Sequence, residues 1–193
     1  MVLISALCRD VRDHVIADEE FNLFFERHHR ELGRLAYLLT GNADEADDLT
    51  ADAFVVAWRR WDRVRNAAHP LAYMRGIVAR LASSRVRRLL RERRRLGAME
   101  AGAAEWADGP DVPAVLDVRA ALRRLPPRKR ACVVLRHAFD LSERETAEVL
   151  GISVGTVKSQ TSKAVAELEQ SLGGSMRISA LLLKEPRLDG PHG

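Results

Sequence analysis

Residues 141–168 have the sequence LSERETAEVLGISVGTVKSQTSKAVAEL, and this stretch decides the fold of the C-terminal half of the chain. Ser142 and Glu145 have the spacing of a capping box, in which each side chain accepts a hydrogen bond from the other residue's backbone N–H. Gly151 supplies a sharp turn, and Ser153 is a suitable N-cap for a second helix. Two helices joined by a short glycine-containing turn predict a helix-turn-helix, whose second helix lies in the major groove of DNA.

The second helix of this motif is amphipathic. Its short hydroxyl side chains permit close approach to DNA, Lys158 and Lys163 can neutralise phosphates, and Gln160 can present a donor and an acceptor together to adenine. The triplet RKR at 128–130 opens the preceding helix, either as a phosphate contact or as a solvated helix start. The polar face is also compatible with an ordinary solvated hairpin. The predicted duplex-binding residues are Arg130, Ser153, Val154, Gly155, Thr156, Lys158, Ser159, Gln160, Ser162 and Lys163.

Helical periodicity dominates the N-terminal half from about Glu20 to Leu96. Gly41 ends a first apolar run, and Asn42 is a plausible N-cap for a second helix with acidic residues in its first turn. A third helix is predicted to begin near Pro70, because proline is favoured in the first turn. We detect no convincing strand, so the predicted fold class is all-α, with two small helical domains joined by a flexible acidic linker.

The third helix is basic and ends in RVRRLLRERRR at residues 85–95, with seven arginines and one acid. Such a density of positive charge repels itself unless a polyanion lies nearby, although a solvated basic helix end is the simpler alternative. The beginning of the same helix has aromatic and polar groups suited to stacking on unpaired bases and bonding to them. These residues are His69, Tyr73, Arg75, Arg80, Ser83 and Ser84.

The second helix carries a cluster of acidic residues next to apolar ones. Acids beside exposed apolar side chains suit docking against a basic partner helix, whereas a capped and solvated first turn explains the acids alone. The acids are Asp44, Glu45, Asp47, Asp48 and Asp52, and the apolar neighbours are Leu49, Phe54, Val55 and Trp58.

Composition narrows the class of protein. The 193 residues carry a formal net charge of +4, and Cys8 and Cys132 are far apart without ligands at zinc spacing. We therefore expect inert thiols, no metal and no cofactor. The acids have no partner histidine or glycine-rich phosphate loop, so we expect no enzyme. No signal peptide or membrane span is recognisable, which favours a cytoplasmic protein that does not bind membranes.

Three long stretches together resemble one family. RLAYLLTGNADEADDLTADAFVVAWRRWDRV at 34–64, HPLAYMRGIVARLASSRVRR at 69–88 and LRRLPPRKRACVVLRHAFDLSERETAEVLGISVGTVKSQTSKAVAEL at 122–168 are similar to the extracytoplasmic-function (ECF) sigma factors of bacterial RNA polymerase, most of all the actinobacterial type. The resemblance covers roughly residues 20 to 172. It implies a promoter-specificity subunit that assists promoter melting, with an N-terminal leader (1–19), region 2 (20–95), a linker (96–113), region 4 (114–172) and a C-terminal tail (173–193).

The resemblance also implies what each region binds. Region 2 would hold the beta-prime clamp helices of core polymerase through Asp47, Asp48, Leu49, Asp52, Phe54 and Trp58. It would also capture a flipped base and the melted non-template strand of the minus-ten element through Asn66, His69, Tyr73, Arg75, Arg80, Ser83, Ser84, Arg85, Arg87 and Arg88. Region 4 would contact the beta flap and recognise the minus-thirty-five element as duplex. An anti-sigma factor or an accessory activator is a further expected partner.

Some positions depart from the usual pattern of that family. Ala51 replaces a common glutamine, Arg80 a frequent asparagine and Ser84 a frequent aspartate. Val154, Gln160 and Thr161 replace frequent glutamate, arginine and leucine in the predicted DNA-binding helix. We therefore expect an atypical upstream element and carry over no base preference.

Two other classes of protein remain open at this stage. A freestanding helix-turn-helix regulator would bind duplex DNA alone and would need neither the acidic helix nor the basic one. An RNA-binding or anti-termination protein would account for the arginines but not for the capped DNA-binding helix. The leader is either an amphipathic helix or disordered, and the apolar ISALLLK at 178–184 either packs on the last domain or docks on a neighbour.

Overall fold

The computed structural model describes the backbone of residues 2–95 and 113–172, and within these ranges all regular structure is helical. The described helices confirm the predicted all-α fold. They are α1 (Val2–Thr40), α2 (Ala43–Trp58), α3 (Trp61–Arg65), α4 (Pro70–Arg95), α5 (Pro113–Arg124), α6 (Pro127–His137), α7 (Glu143–Leu150) and α8 (Val154–Ser171).

Capping residues, glycine and proline in the sequence predicted several helix ends correctly. Asn42 caps α2 in an extended conformation, and its side chain accepts a hydrogen bond from the Glu45 amide at 2.9 Å. Gly41 ends α1 with φ at 79°, a left-handed value that glycine adopts without strain. Pro70 begins α4 as expected.

Two elements differ from the prediction. The first helix begins at Val2 rather than near Glu20, because no proline or glycine interrupts residues 2–32. Residues 2–19 are thus continuous in their backbone with the rest of α1, as the helical alternative expects. The short helix α3 was not predicted, since five residues carry too little periodicity. Burial of Trp61 and Val64 against the first domain holds it in place.

The N-terminal domain packs α1, α2 and α4 around fully buried side chains such as Leu35, Leu49 and Val78. Aromatic rings close one end of this core. Phe21 and Phe24 lie 5.2 and 5.4 Å from the Trp61 ring in edge-on geometry, which is a favourable arrangement for aromatic pairs.

The C-terminal domain packs α8 and α7 against α6. Its centre consists of fully buried Val133, Leu135 and Val157, with Leu168 nearly so. These side chains come from α6 and α8, and α7 packs against both helices, so the helix-turn-helix is held on α6.

The two domains are in contact, a feature that the prediction of two helical domains did not address. A single buried apolar cluster runs from Leu35 in α1 to Leu168 in α8. The Arg130 guanidinium donates to the Leu39 carbonyl at 2.6 Å, and Arg119 lies over the Tyr37 ring at 4.8 Å. Residues 96–112 of the predicted linker, the tail at 173–193 and the side chain of Cys8 lie outside the described residues.

Candidate nucleic-acid interface

The turn between α7 and α8 has the geometry that its sequence predicts. Ser142 and Glu145 form the reciprocal capping box, with bonds of 3.2 and 2.7 Å. Gly151 is left-handed with φ at 64°, and the Ser153 hydroxyl accepts from the Thr156 amide at 3.2 Å. These bonds satisfy amides that the start of a helix leaves unpaired, so they fix the direction in which α8 leaves the turn.

The polar face of α8 is open to solvent. Val157, Ala164 and Leu168 are buried on the opposite side, which confirms the amphipathic pattern. Val154 is 44% exposed, and no atom lies within 4 Å of the place where a Cβ would stand on Gly155. A face this open can enter a major groove. Its exposed polar members are Ser153, Lys158, Ser159, Ser162 and Lys163, and Thr156, Gln160 and Thr161 are half-buried beside them.

Arg130 does not belong to this face, which corrects the sequence interpretation. It is only 6% exposed, and its guanidinium bonds to the carbonyls of Leu39, Arg123 and Leu125. Burial, with a smaller contribution from the charge of Arg123, lowers the pKa of Arg130 to about 10, so the side chain remains charged at neutral pH. Its role in this arrangement is to join the two domains.

Most of the predicted strand-binding residues lie along α4 and the segment before it. The Asn66 side chain donates to the Asp62 carbonyl at 2.7 Å and caps the end of α3. Tyr73 and Ser83 are half-buried. The exposed members are Asn66, His69, Arg80, Ser84, Arg87 and Arg88.

Two of the predicted strand-binding arginines are engaged within the chain. Arg75 bonds to Glu31 at 2.5 Å, and Arg85 bonds to Asp52 at 2.5 Å and to the Glu45 carbonyl at 3.4 Å. Each guanidinium already has a carboxylate partner, so a contact with DNA would have to use its remaining donors or displace that partner. The Arg85 bond also ties the basic helix to the acidic one.

The acidic helix α2 divides into an outer and an inner face. Asp47, Asp48 and Asp52 are exposed as a docking surface requires. Leu49 is 0% exposed and belongs to the core, whereas Phe54 is 5% exposed and offers a partner only the small part of its ring that lines the groove described below. The i, i+4 period explains the error, since Leu49 and Ala53 share the side of α2 that faces α1 and α4.

An apolar groove of about 470 Å³ lies at the C-terminal end of α2, against α1. Trp58 belongs to the predicted polymerase-binding set, and its side chain is 45% exposed in this groove. Val55 is 49% exposed beside it. Phe25 of α1, which the sequence analysis did not single out, is 41% exposed. Its exposed side could not be recognised without knowing how α1 packs on α2. The complete lining is Asp18, Phe21, Asn22, Phe25, Phe54, Val55 and Trp58.

A second cavity, of about 320 Å³, lies between α4 and α7. The α4 side contributes His69, Tyr73 and Arg80 from the predicted strand-binding set, and α7 contributes Glu148 and Val149. The cavity therefore separates a predicted DNA-binding surface from the other domain.

The described residues offer little to other kinds of chemistry. They contain no group of three or more His, Cys, Asp or Glu side chains arranged to hold a metal. Burial raises the pKa of the Cys132 thiol to about 11, which makes it unreactive at neutral pH. No helix in the described part of the chain combines the length and apolarity needed to cross a bilayer.

Comparisons with known proteins agree with this geometry. A family model for Sigma-70 region 2 matches residues 24–93, and one for Sigma-70, region 4 matches residues 116–168. The ECF RNA polymerase sigma factor SigM of Mycobacterium tuberculosis is 35% identical over 171 residues, covering 83% of this chain and 81% of the relative. The RNA polymerase sigma-E factor of Streptomyces coelicolor is 31% identical, with coverages of 79% and 86%.

Among solved structures, the sigma factor RpoE in complex with the anti-sigma factor NepR from Bartonella quintana has the same fold. The TM-score is 0.67 at 24% identity, over 82% of this chain and 99% of that chain.

Proposed function

The chain belongs to the ECF sigma factors, so it directs promoter-specific initiation by RNA polymerase, and we propose here how its surfaces divide that task. Sigma factors bind core polymerase and promoter DNA. We assign polymerase docking to α2, melted minus-ten DNA to α4 and duplex minus-thirty-five DNA to α8. In this proposal the polymerase carries out the catalysis. The sigma factor acts in the cytoplasm.

The polymerase-docking surface combines charge with apolar contact. Asp47 and Asp48 supply exposed negative charge that orients a basic partner, Asp52 lies beside them in an ion pair with Arg85, and Val55 and Trp58 supply apolar area next to these acids. Exposed apolar side chains of this size on one groove are typical of a protein interface. The beta-prime clamp helices are the partner that we assign to this surface.

The promoter contacts fall on two surfaces of different chemistry. The open face of α8 carries hydroxyls, an amide and two lysines, which suits base edges and phosphates in a major groove. The face of α4 carries Tyr73, His69 and a succession of arginines, which suits stacking and phosphate neutralisation along a single strand. Exposure of the α8 face on a capped, rigid turn is the observation that carries this assignment.

The docking assignment is tested by reversing one charge. We expect Asp48→Arg to abolish binding to core polymerase with the fold intact, because Asp48 is exposed and the added cation repels a basic partner. Val55→Glu should weaken binding through the apolar part of the same surface. Co-purification with core enzyme and circular dichroism measure the two effects.

Glu169→Arg is the matched control, since it makes the same charge change at an exposed position of α8. It should bind core polymerase as the unaltered protein does. Normal co-purification of the Asp48 variant would remove α2 from the interface.

A freestanding helix-turn-helix regulator is the alternative class. In-vitro transcription with purified core polymerase separates the two, because a regulator of that kind does not confer specific initiation on core enzyme. Control by an anti-sigma factor or an activator stays a prediction.

A further inference from the structure

Val154 is an exposed apolar residue at the start of α8, the helix to which we assign duplex binding. Among the side chains that the structure describes within residues 118–172, it is the one large apolar group exposed to solvent, at 44%. Val157 and Leu168 of the same helix are buried in the core of the domain. The fold therefore leaves the Val154 side chain open to a contact from outside the chain.

The polar side chains next to Val154 are used to begin the helix. The Ser153 hydroxyl accepts a hydrogen bond from the Thr156 amide at 3.2 Å, and the Ser153 and Thr156 hydroxyls are bonded to each other at 2.8 Å. Both hydroxyls are thus engaged in the cap. Gly155 has no side chain, so the main recognition that the first turn of α8 offers to a ligand is the apolar surface of Val154.

The position of Val154 directs it towards base edges. When the second helix of a helix-turn-helix lies in the major groove, its N-terminal residues contact the edges of the bases. Val154 is the first residue of α8, and no atom lies within 4 Å of the place where a Cβ would stand on Gly155. This open space allows a base pair to approach the helix backbone closely, within reach of a short isopropyl group.

The bases differ in what they offer to an apolar side chain. Thymine presents its C5-methyl group in the major groove, whereas guanine and adenine present N7 with O6 or an amino group, and cytosine presents an amino group. Valine has no donor or acceptor, so beside a polar edge it leaves that edge without a partner. Contact with a thymine methyl group carries no such cost.

We propose that Val154 is a specificity-determining residue that contacts the C5-methyl group of one thymine in the minus-thirty-five duplex. This inference rests on the proposed function of α8 and adds a base preference to it. Exposed Lys158 lies one helical turn further along the same side, where it can neutralise a phosphate and hold the tip of α8 in the groove. Burial of one methyl group against the isopropyl group favours thymine by about fourfold in affinity.

Replacement of thymine by uracil tests the contact, because it removes the methyl group and leaves the hydrogen-bonding groups of the base pair unchanged. The full chain is combined with core polymerase, and a promoter is selected from duplexes whose upstream element is randomised. Each thymine of the selected element, on either strand, is then replaced singly by deoxyuridine. Initiation at limiting holoenzyme gives the ratio of thymine to uracil promoter activity at every position.

Val154→Ala and Leu23→Ala are compared on the same set of promoters. Both substitutions shorten an exposed apolar side chain inside a helix, but Leu23 lies on α1, where it is 68% exposed. Circular dichroism checks that both variants fold. We expect one thymine at which the unaltered protein and the Leu23 variant lose about fourfold in activity with uracil. The Val154 variant should show a ratio close to one at that position.

A holoenzyme that needs the upstream element but responds to no thymine methyl group would overturn the role of Val154 alone. An equal response of the Val154 variant at the sensitive thymine would have the same consequence. If promoters with a randomised upstream element all initiate equally well, α8 does not recognise this duplex. In that case the proposed function of α8 and this inference are both wrong.

Discussion

Arg130 and Gln160 illustrate how a polar residue type takes its role from its surroundings. Arg130 is the last residue of a basic triplet, yet its guanidinium is buried and bonded to three carbonyls. Its Nη1 and Nη2 groups donate these bonds, whereas its buried Nε has no hydrogen-bond partner. Gln160 is half-buried beside exposed hydroxyls and lysines on α8, and its amide is proposed to reach a base edge from there.

Gln160→Ala tests base recognition at a single position. Loss of the amide should cost about 1–3 kcal/mol of discrimination at one base pair of the upstream element. The measurement is in-vitro transcription from promoters that carry every single-base change in that element. Gln170→Ala is the control, since Gln170 is exposed near the other end of α8. An identical promoter preference for both variants would remove Gln160 from the DNA-binding set.

At the scale of the secondary-structure elements, capping side chains determine where several helices begin. Asn42, Ser142 and Ser153 each accept a hydrogen bond from an amide three residues later, so α2, α7 and α8 begin where the sequence indicates. The start of α1 and the existence of α3 were not predicted, because neither carries a side-chain cap in the sequence. The short helix α3 is stabilised by the burial of Trp61 and not by a local capping signal.

Gly151→Ala and Gly155→Ala compare two glycines four residues apart. Gly151 is left-handed, so alanine there should reduce the free energy of unfolding by about 1–2 kcal/mol. Gly155 is helical with open space around it, and alanine there should be neutral or stabilise the fold by up to about 1 kcal/mol. Urea unfolding followed by circular dichroism measures both. A similar loss at both positions would contradict the conformational explanation.

At the scale of the whole molecule, one apolar core extends through both domains. The composition of the linker indicated two domains, but it carries no information on whether the surfaces of those domains touch. Buried residues of α1 and α6 belong to the same cluster, and Arg130 bridges them. The free chain is therefore expected to unfold cooperatively.

Arg130→Met tests the contribution of the domain contact to stability. Methionine fills a similar volume but leaves the carbonyls of Leu39, Arg123 and Leu125 without this donor, so the free energy of unfolding should fall by about 2–4 kcal/mol. Arg128→Met is the control on the exposed side of the same helix and should change stability by less than about 0.5 kcal/mol. Equal midpoints in urea would show that the buried guanidinium contributes nothing.

The sequence by itself determined the helices, their caps, the helix-turn-helix and the separation of acidic and basic surfaces, because these depend on residues a few positions apart. The tertiary structure decided which side of each helix is available. It buried Leu49, Phe54 and Arg130, paired Arg75 and Arg85 with acids, and brought Phe25 and Val55 to one groove. Exposure depends on contacts between residues far apart in the chain, and local periodicity carries no information about which helix will cover which face.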